Sequence, residues 1–168
     1  MKKLEAINGD KIRALTLDEF LKWSLPFLTK AEIITGTDSE IAMVKSALPI
    51  IQERIVKLDE VPQMLKFLFV KEFAVETDSV SKITDDVSKE VLKRSLKDLE
   101  PLSTWNHDSI EAALRACLID EMGLKPRIAF GAVRIATTGS TISPPLFESM
   151  ELLGKEASLA RIAAALTL

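Results

Sequence analysis

The sequence has very little cysteine and histidine, two residues that enzymes often use for catalysis and metal binding. Among its 168 residues it has one cysteine, Cys117, and one histidine, His107. A lone cysteine excludes a disulfide within the chain and argues against a metal cluster. Cys117 lies in an apolar helical pattern, which predicts a small core residue, and His107 is expected to be exposed or to cap a helix. The two stand about 80° apart around a helix, so their spacing does not support a Cys–His dyad.

The sequence also lacks a phosphate-binding loop, a membrane span and an excess of positive charge. Its six glycines are scattered, and no apolar run approaches the roughly 18 residues of a spanning helix. The mixed-charge start of the chain predicts no signal peptide, so we expect a cytoplasmic location. The net charge is −3, from 22 basic and 25 acidic residues. A stand-alone, non-specific DNA binder would be basic, so any contact with nucleic acid has to come from a local basic stripe.

What is present is a pattern of helices, and it predicts an all-α fold. Apolar residues step by three and four positions, which lines one helical face, and no stretch has the alternation of a strand. One such stripe predicts a helix over residues 38–58, with a kink or boundary at Pro49. Residues 76–82 are expected to form a loop, and residues 100–104 to form a hinge between two helical subdomains, 16–100 and 101–168.

One predicted helix, which Pro126 begins, carries an unusual face. Arg127, Phe130, Gly131 and Arg134 fall on the same side of it. Gly131 lowers helix stability by about 1 kcal/mol relative to alanine, which close approach of another backbone would explain. Two arginines beside a bare position suit a phosphate or a base edge.

A polar loop stiffened by two prolines follows, and it leads into a helix N-terminus at residues 144–148. Such an end favours anionic or hydrogen-bond-accepting ligands, and Leu146 and Phe147 could contact an unpaired base. The alternative remains open that Gly131 eases helix packing, that both arginines are solvated, and that Leu146 and Phe147 belong to the core.

The same residues carry a resemblance to glutamyl-tRNA synthetases. The sequence NGDKIR at residues 8–13 is similar to a segment that follows the catalytic half of these enzymes. LKPR at 124–127, FGAVR at 130–134 and SPPLFESMELLGKE at 143–156 resemble the final subdomain of the family. The similarity is colinear and covers nearly the whole chain, and its last block is long and specific.

The resemblance implies the C-terminal anticodon-binding region of a class I aminoacyl-tRNA synthetase, of the α-helix cage type. The parent enzyme would convert ATP, glutamate and tRNA to glutamyl-tRNA, AMP and diphosphate. Neither of the two ATP-handling motifs of the family occurs here, so we expect no catalytic residue, cofactor or metal in this segment. ATP and Mg²⁺ would belong to the catalytic domain. Residues 1–15 would end the stem-contact region, and the partner would be the anticodon arm of a glutamate tRNA, with no DNA, no membrane and a monomeric parent.

The resemblance also implies roles for individual residues. Arg54 aligns with the arginine that reads the third anticodon base and separates glutamate tRNA from glutamine tRNA. Arg134 and Leu146 match residues at the first base, and the positions around the middle base are Ser143, Pro144 and Phe147. Arg115 and Arg127 are candidate contacts to the tRNA backbone.

Two other interpretations remain. Arg54 can equally be a solvated flank of the apolar stripe that contains Ile51 and Ile55. The whole chain can be a helical protein-interaction or structural domain that does not bind RNA. A stand-alone enzyme would need an amino-acid or ATP site, and the sequence offers none.

Overall fold

The structure, a computed structural model, describes residues 2–168, with side chains from Leu4 onward. These residues form ten α-helices and no strand, which confirms the predicted all-α fold. The contacts within the chain divide it into two compact units, Met1–Lys71 and Glu72–Leu168.

The first unit contains four α-helices and two short 3-10 turns. The helices are α1 (Lys2–Arg13), α2 (Leu17–Lys30), α3 (Asp38–Gln52) and α4 (Val61–Leu65), and the turns are Leu58–Glu60 and Lys66–Leu68. Thr16 and Thr37 begin α2 and α3, and each is followed three residues later by a glutamate that returns a hydrogen bond to the cap. This reciprocal pattern satisfies amide groups that a helix start otherwise leaves unpaired. The sequence therefore fixes where both helices begin.

Helix α3 is shorter than the apolar stripe predicted. It runs through Pro49 and ends at Gln52, whereas the stripe continued to Leu58. The side chain of Gln52 donates to the carbonyls of Ile12 and Leu15, at 2.9 Å each, and so fastens α3 to the end of α1. Ile55 is fully buried although it lies outside the helix. Ile55 is therefore apolar because it is buried, and not because it continues the face of a helix.

The second unit contains six α-helices. They are α5 (Thr77–Val80), α6 (Asp86–Leu99), α7 (His107–Leu114), α8 (Pro126–Thr138), α9 (Leu146–Leu153) and α10 (Lys155–Ala165). Residues Arg115–Glu121 continue α7 with π-helical geometry. The expected loop at residues 76–82 thus contains one helical turn, α5. Helix α8 begins at Pro126, as predicted, and α9 begins at Leu146, within the predicted helix start at residues 144–148.

The predicted hinge at residues 100–104 lies inside the second unit. Lys155 Nζ donates to the carbonyls of Glu100 and Leu102, both at 2.7 Å. Trp105 Nε1 donates to the carbonyl of Met150 at 2.9 Å. The segment is therefore held against α9 and α10, and the chain divides by contacts at residues 71 and 72 instead of at the predicted 100 and 101.

Residues 72–76 join the second unit through contacts with α8 and α10. The guanidinium of Arg161 lies 3.9 Å from the centre of the Phe73 ring. The amide of Glu76 donates to the carbonyl of Gly139 at 2.8 Å. These contacts link positions that are far apart in sequence. No local sequence pattern therefore indicated that the chain divides between residues 71 and 72.

Candidate nucleic-acid interface

The unusual face of α8 borders an open cavity of about 880 Å³. Arg127, Phe130, Gly131 and Arg134 all line it, as their spacing predicted. Arg127 is exposed, and the other three are half-buried. The opposite side of α8 supplies buried alanines and valine to the core of the unit: Ala129, Ala132, Val133 and Ala136. Packing on one side of α8 thus holds the cationic side toward the cavity.

Arg134 connects α8 to the segment of residues 143–147. Its Nη1 donates to Ser143 Oγ at 3.0 Å and to the carbonyl of Pro144 at 2.7 Å. The Ser143 hydroxyl in turn donates to the same carbonyl at 3.2 Å. Two consecutive prolines restrict the backbone dihedrals of the segment. A guanidinium and a hydroxyl that can both bind a base edge or a phosphate are therefore fixed side by side, and both are half-buried.

An aromatic pair adjoins this segment. Phe147 and Phe130 pack edge to face, with ring centres 5.2 Å apart and an interplanar angle of 83°. The guanidinium of Arg115 lies 5.6 Å from the centre of the Phe130 ring, and its Nε donates to Glu111 at 2.6 Å. Phe147 is half-buried and Arg115 is exposed. The ring of Phe147 is therefore partly accessible to a ligand, and the guanidinium of Arg115 lies beside the ring of Phe130.

Leu146 and Pro144 lie deeper than a ligand contact would suggest. Leu146 is 3% exposed and belongs to the hydrophobic core of the second unit. Pro144 is buried as well. The structure thus places Leu146 in the core, which is the alternative that the sequence left open for it. Both residues can still shape the 143–147 segment, but they offer little side-chain surface to a base.

Arg54 lies in the first unit, in the turn that follows α3. Its amide donates to the carbonyl of Ile51 at 2.9 Å, and its side chain is exposed. Ile51 and Ile55, which flank the turn, are fully buried. The turn is therefore anchored on both sides, and it presents Arg54 to solvent at a defined place.

Among the described residues, neither a metal cluster nor a reactive cysteine accompanies the α8 face. Among the side chains from Leu4 onward, no group of three or more histidine, cysteine or acidic residues could hold a metal ion. Cys117 is 2% exposed, and burial raises the pKa of its thiol to about 11, as expected of an unreactive core cysteine. Within residues 2–168 no helix has both the length and the apolar character needed to cross a membrane.

The sequence profile of a family described as an anticodon binding domain matches residues 11–166. The chain belongs to this family. The match covers the α8 face, the 143–147 segment and the turn that holds Arg54.

Relatives and solved structures agree with that assignment. The glutamate–tRNA ligase of Nocardioides sp. is 45% identical over 170 residues, which cover 99% of this chain and 35% of that protein. The ligase of Acidothermus cellulolyticus is 44% identical, over 95% of this chain and 32% of the relative. The crystal structure of a glutamate tRNA ligase from Elizabethkingia meningosepticum shares the fold, with a TM-score of 0.74 at 16% identity, over 97% of this chain and 31% of that one. The chain thus spans about a third of the length of these relatives, and the predicted resemblance is confirmed.

The anticodon-binding domain has cavity residues that the sequence did not indicate. Lys82 and Asp85 come from the turns before α6, and both line the cavity beside α8. Asp85 caps α6, and hydrogen bonds from the hydroxyl and amide of Ser88 hold its pKa below the ordinary value. Both residues lie some forty or more positions before α8, so only the fold brings them together with it.

The two glycines of this region are expected to respond oppositely to alanine. Gly131→Ala should raise the free energy of unfolding by about 0.5–1 kcal/mol, because a helical glycine is costly and a Cβ there meets nothing within 4 Å. Gly139→Ala should lower it by about 1–2 kcal/mol. Its φ is +84°, and a Cβ would lie 3.1 Å from the carbonyl oxygen of Ala74. Urea denaturation measures both, and shifts of the same sign would contradict this description of the two sites.

Proposed function

We propose that this chain recognises the anticodon arm of a glutamate tRNA, as part of a glutamate–tRNA ligase. The ligase would join glutamate to its tRNA at the expense of ATP, releasing AMP and diphosphate. The observation that supports this most directly is the pair of hydrogen bonds from Arg134, which lines the open cavity, to the 143–147 segment. It occurs in a member of an anticodon-binding family, and relatives from Acidothermus cellulolyticus and Nocardioides sp. are named glutamate–tRNA ligases.

The chemistry of this contact suits an unstacked RNA base. Bases in an anticodon loop expose their Watson–Crick edges, which side chains read by hydrogen bonding and stacking. A guanidinium carries five N–H donors in a planar fork, and serine adds a donor and an acceptor. Arg134 is proposed to contact the first anticodon base, and Ser143 and Phe147 the middle one. Leu146 and Pro144, which are buried, would position the segment from beneath.

The exposed arginines would serve other parts of the anticodon arm. Arg115 and Arg127 are proposed to contact the RNA backbone, since phosphate contacts fix register without reading sequence. Arg54, on its anchored turn, is proposed to read the third anticodon base.

Exchange of Arg54 tests its proposed role in the longer ligase. We expect Arg54→Gln to relax the discrimination between glutamate and glutamine tRNAs, because glutamine donates fewer hydrogen bonds and carries no charge. The ratio of charging rates for the two tRNAs measures this, with Lys30→Gln as a control on another exposed cation of the first unit. An unchanged ratio would remove Arg54 from recognition.

Binding of the chain to tRNA is the test of the proposal itself. The net charge of −3 opposes a polyanion, so we expect weak binding that depends on a few local cations. Each phosphate contact contributes a slope of about −0.9 for duplex or −0.7 for single strands in a plot of log affinity against log salt. A gel shift with a glutamate tRNA transcript should show a complex at low salt that weakens as salt increases. No complex at low salt would instead favour a helical protein-interaction domain.

The remaining parts of the proposal concern the longer ligase. ATP and Mg²⁺ are proposed to act outside this chain, and no residue here is assigned a catalytic role. We place the ligase in the cytoplasm, as a monomer, with tRNA and not DNA as its nucleic-acid partner.

A further inference from the structure

The cavity beside α8 extends beyond the residues assigned to the anticodon bases. Besides Arg127 and Arg134, it is lined by Lys82 and Asp85 from the turns before α6. Its volume of about 880 Å³ falls in the range of sites for small organic ligands, roughly 300–1,000 Å³. A phosphate group alone would fill only a small part of it.

The walls of the cavity combine charge with exposed apolar surface. Val87 at the start of α6 is 48% exposed, and Ile128 at the start of α8 is 49% exposed. Single exposed aliphatic residues are common, but these two line one cavity together with three cations. Such a wall suits a ligand with a flat apolar body and an attached anion.

The carboxylate of Asp85 further narrows the choice of ligand. It is ionised, because hydrogen bonds from Ser88 hold its pKa below the ordinary value. A site for a bare anion would not place a carboxylate on its wall, whereas a nucleotide has amino and hydroxyl groups that can donate to one. A carboxylate accepts up to about four hydrogen bonds, and Ser88 supplies two of them.

Gly131 forms an open part of the cavity wall. A Cβ added there would meet no atom within 4 Å, so no packing inside the protein requires glycine at this position. Glycine nevertheless makes the helix less stable than alanine would at this position. Space kept free for a ligand would explain why a glycine stands at position 131.

We propose that this cavity binds one unpaired nucleotide of the anticodon loop, adjacent to the anticodon but outside its three bases. Val87 and Ile128 would contact the base, Lys82 and Arg127 the phosphate, and Gly131 would leave room for the ribose. The inference rests on the proposed function, because it takes the same RNA loop as the ligand.

The test uses the whole 168-residue chain and hairpins with the anticodon-arm sequence of a glutamate tRNA. A set of hairpins, each with one abasic nucleotide in the loop outside the anticodon, is titrated at low salt by fluorescence anisotropy. For the unchanged protein we expect one of them to bind at least about 5-fold more weakly than the intact hairpin, because it loses the apolar contact between one base and the half-exposed Val87 and Ile128. Gly131→Leu should weaken the intact hairpin by a similar factor and remove the sensitivity to that abasic position.

Two further variants make the result specific. Ala163→Leu adds the same bulk at an exposed position of α10, away from the cavity, and should change neither affinity nor sensitivity. Ile128→Ser removes apolar surface from the cavity wall without filling it, and it should also reduce the sensitivity. It keeps the test decisive if Gly131→Leu fails to fold, which circular dichroism would reveal.

Equal binding of all the abasic hairpins, or full sensitivity retained in both cavity variants, would overturn the inference. Neither result affects the proposed function, which stands if changes within the anticodon itself still weaken binding. Conversely, if the chain bound no hairpin at all, the proposed function and this inference would both fail.

Discussion

Arg134→Ala is expected to weaken binding of a glutamate tRNA anticodon arm by about 5- to 150-fold, the equivalent of 1–3 kcal/mol for one base contact. The guanidinium is also the donor that holds Ser143 and Pro144 in place. Its loss therefore removes one proposed contact and loosens the segment that carries the others. Titration of the hairpin by anisotropy measures the effect, at a temperature where the variant is fully folded.

Two companion variants complete the test: one keeps the charge of Arg134 without its planar guanidinium, and the other is a control at a different arginine. Arg134→Lys keeps the positive charge but lacks the planar fork, so we expect it to recover only a minor part of the affinity. Arg94→Ala removes a different arginine of the second unit, which forms ion pairs with Asp98 and Glu121 outside the cavity, and it should leave binding unchanged. If Arg134→Ala bound the hairpin as tightly as the unchanged protein does, Arg134 would have no role in recognition.

Leu146→Ala is expected to lower the free energy of unfolding by about 2–5 kcal/mol, the usual range for a buried leucine. The residue is 3% exposed and packs in the core of the second unit, so truncation leaves a cavity there. Ile142→Ala, four positions earlier and 65% exposed, should change stability by no more than about 0.5 kcal/mol. The pair compares a core residue at the start of α9 with a surface residue of the preceding loop.

Tryptophan fluorescence provides the measurement for Leu146. Trp105 donates to the carbonyl of Met150 in α9, the helix that Leu146 begins. Trp23 lies in the first unit and is 54% exposed, so Trp23→Phe leaves Trp105 as the reporter of the second unit. If Leu146→Ala unfolded at the same urea concentration as Ile142→Ala but no longer bound RNA, Leu146 would be a ligand contact and not a core residue.

The local parts of the site could be predicted from the sequence. Pro126 and Gly139 delimit α8, and helical spacing placed Arg127, Gly131 and Arg134 on one face. Both signals act within a few residues, where proline and glycine chemistry and the helix period decide the conformation. The resemblance added the functional meaning of this face, which spacing alone left open.

Long-range packing was beyond the reach of the sequence. An apolar residue such as Leu146 looks the same whether it faces a ligand or the core, and only the structure shows it buried. Lys82 joins the cavity from a turn far from α8 in sequence. The chain divides near residue 72, and the contact of Arg161 with Phe73 beside that division joins residues far apart in sequence, so it has no local signature.

Base-specific recognition of the anticodon is measured most directly by comparing hairpins that differ in one anticodon base. The 168-residue chain would be titrated at one salt concentration with the cognate arm and with arms in which each anticodon base in turn is replaced. We expect every replacement to weaken binding by about 5- to 150-fold, with an unchanged salt slope, because base contacts specify while phosphate contacts only position. Equal affinity for all the hairpins would contradict anticodon recognition by this chain.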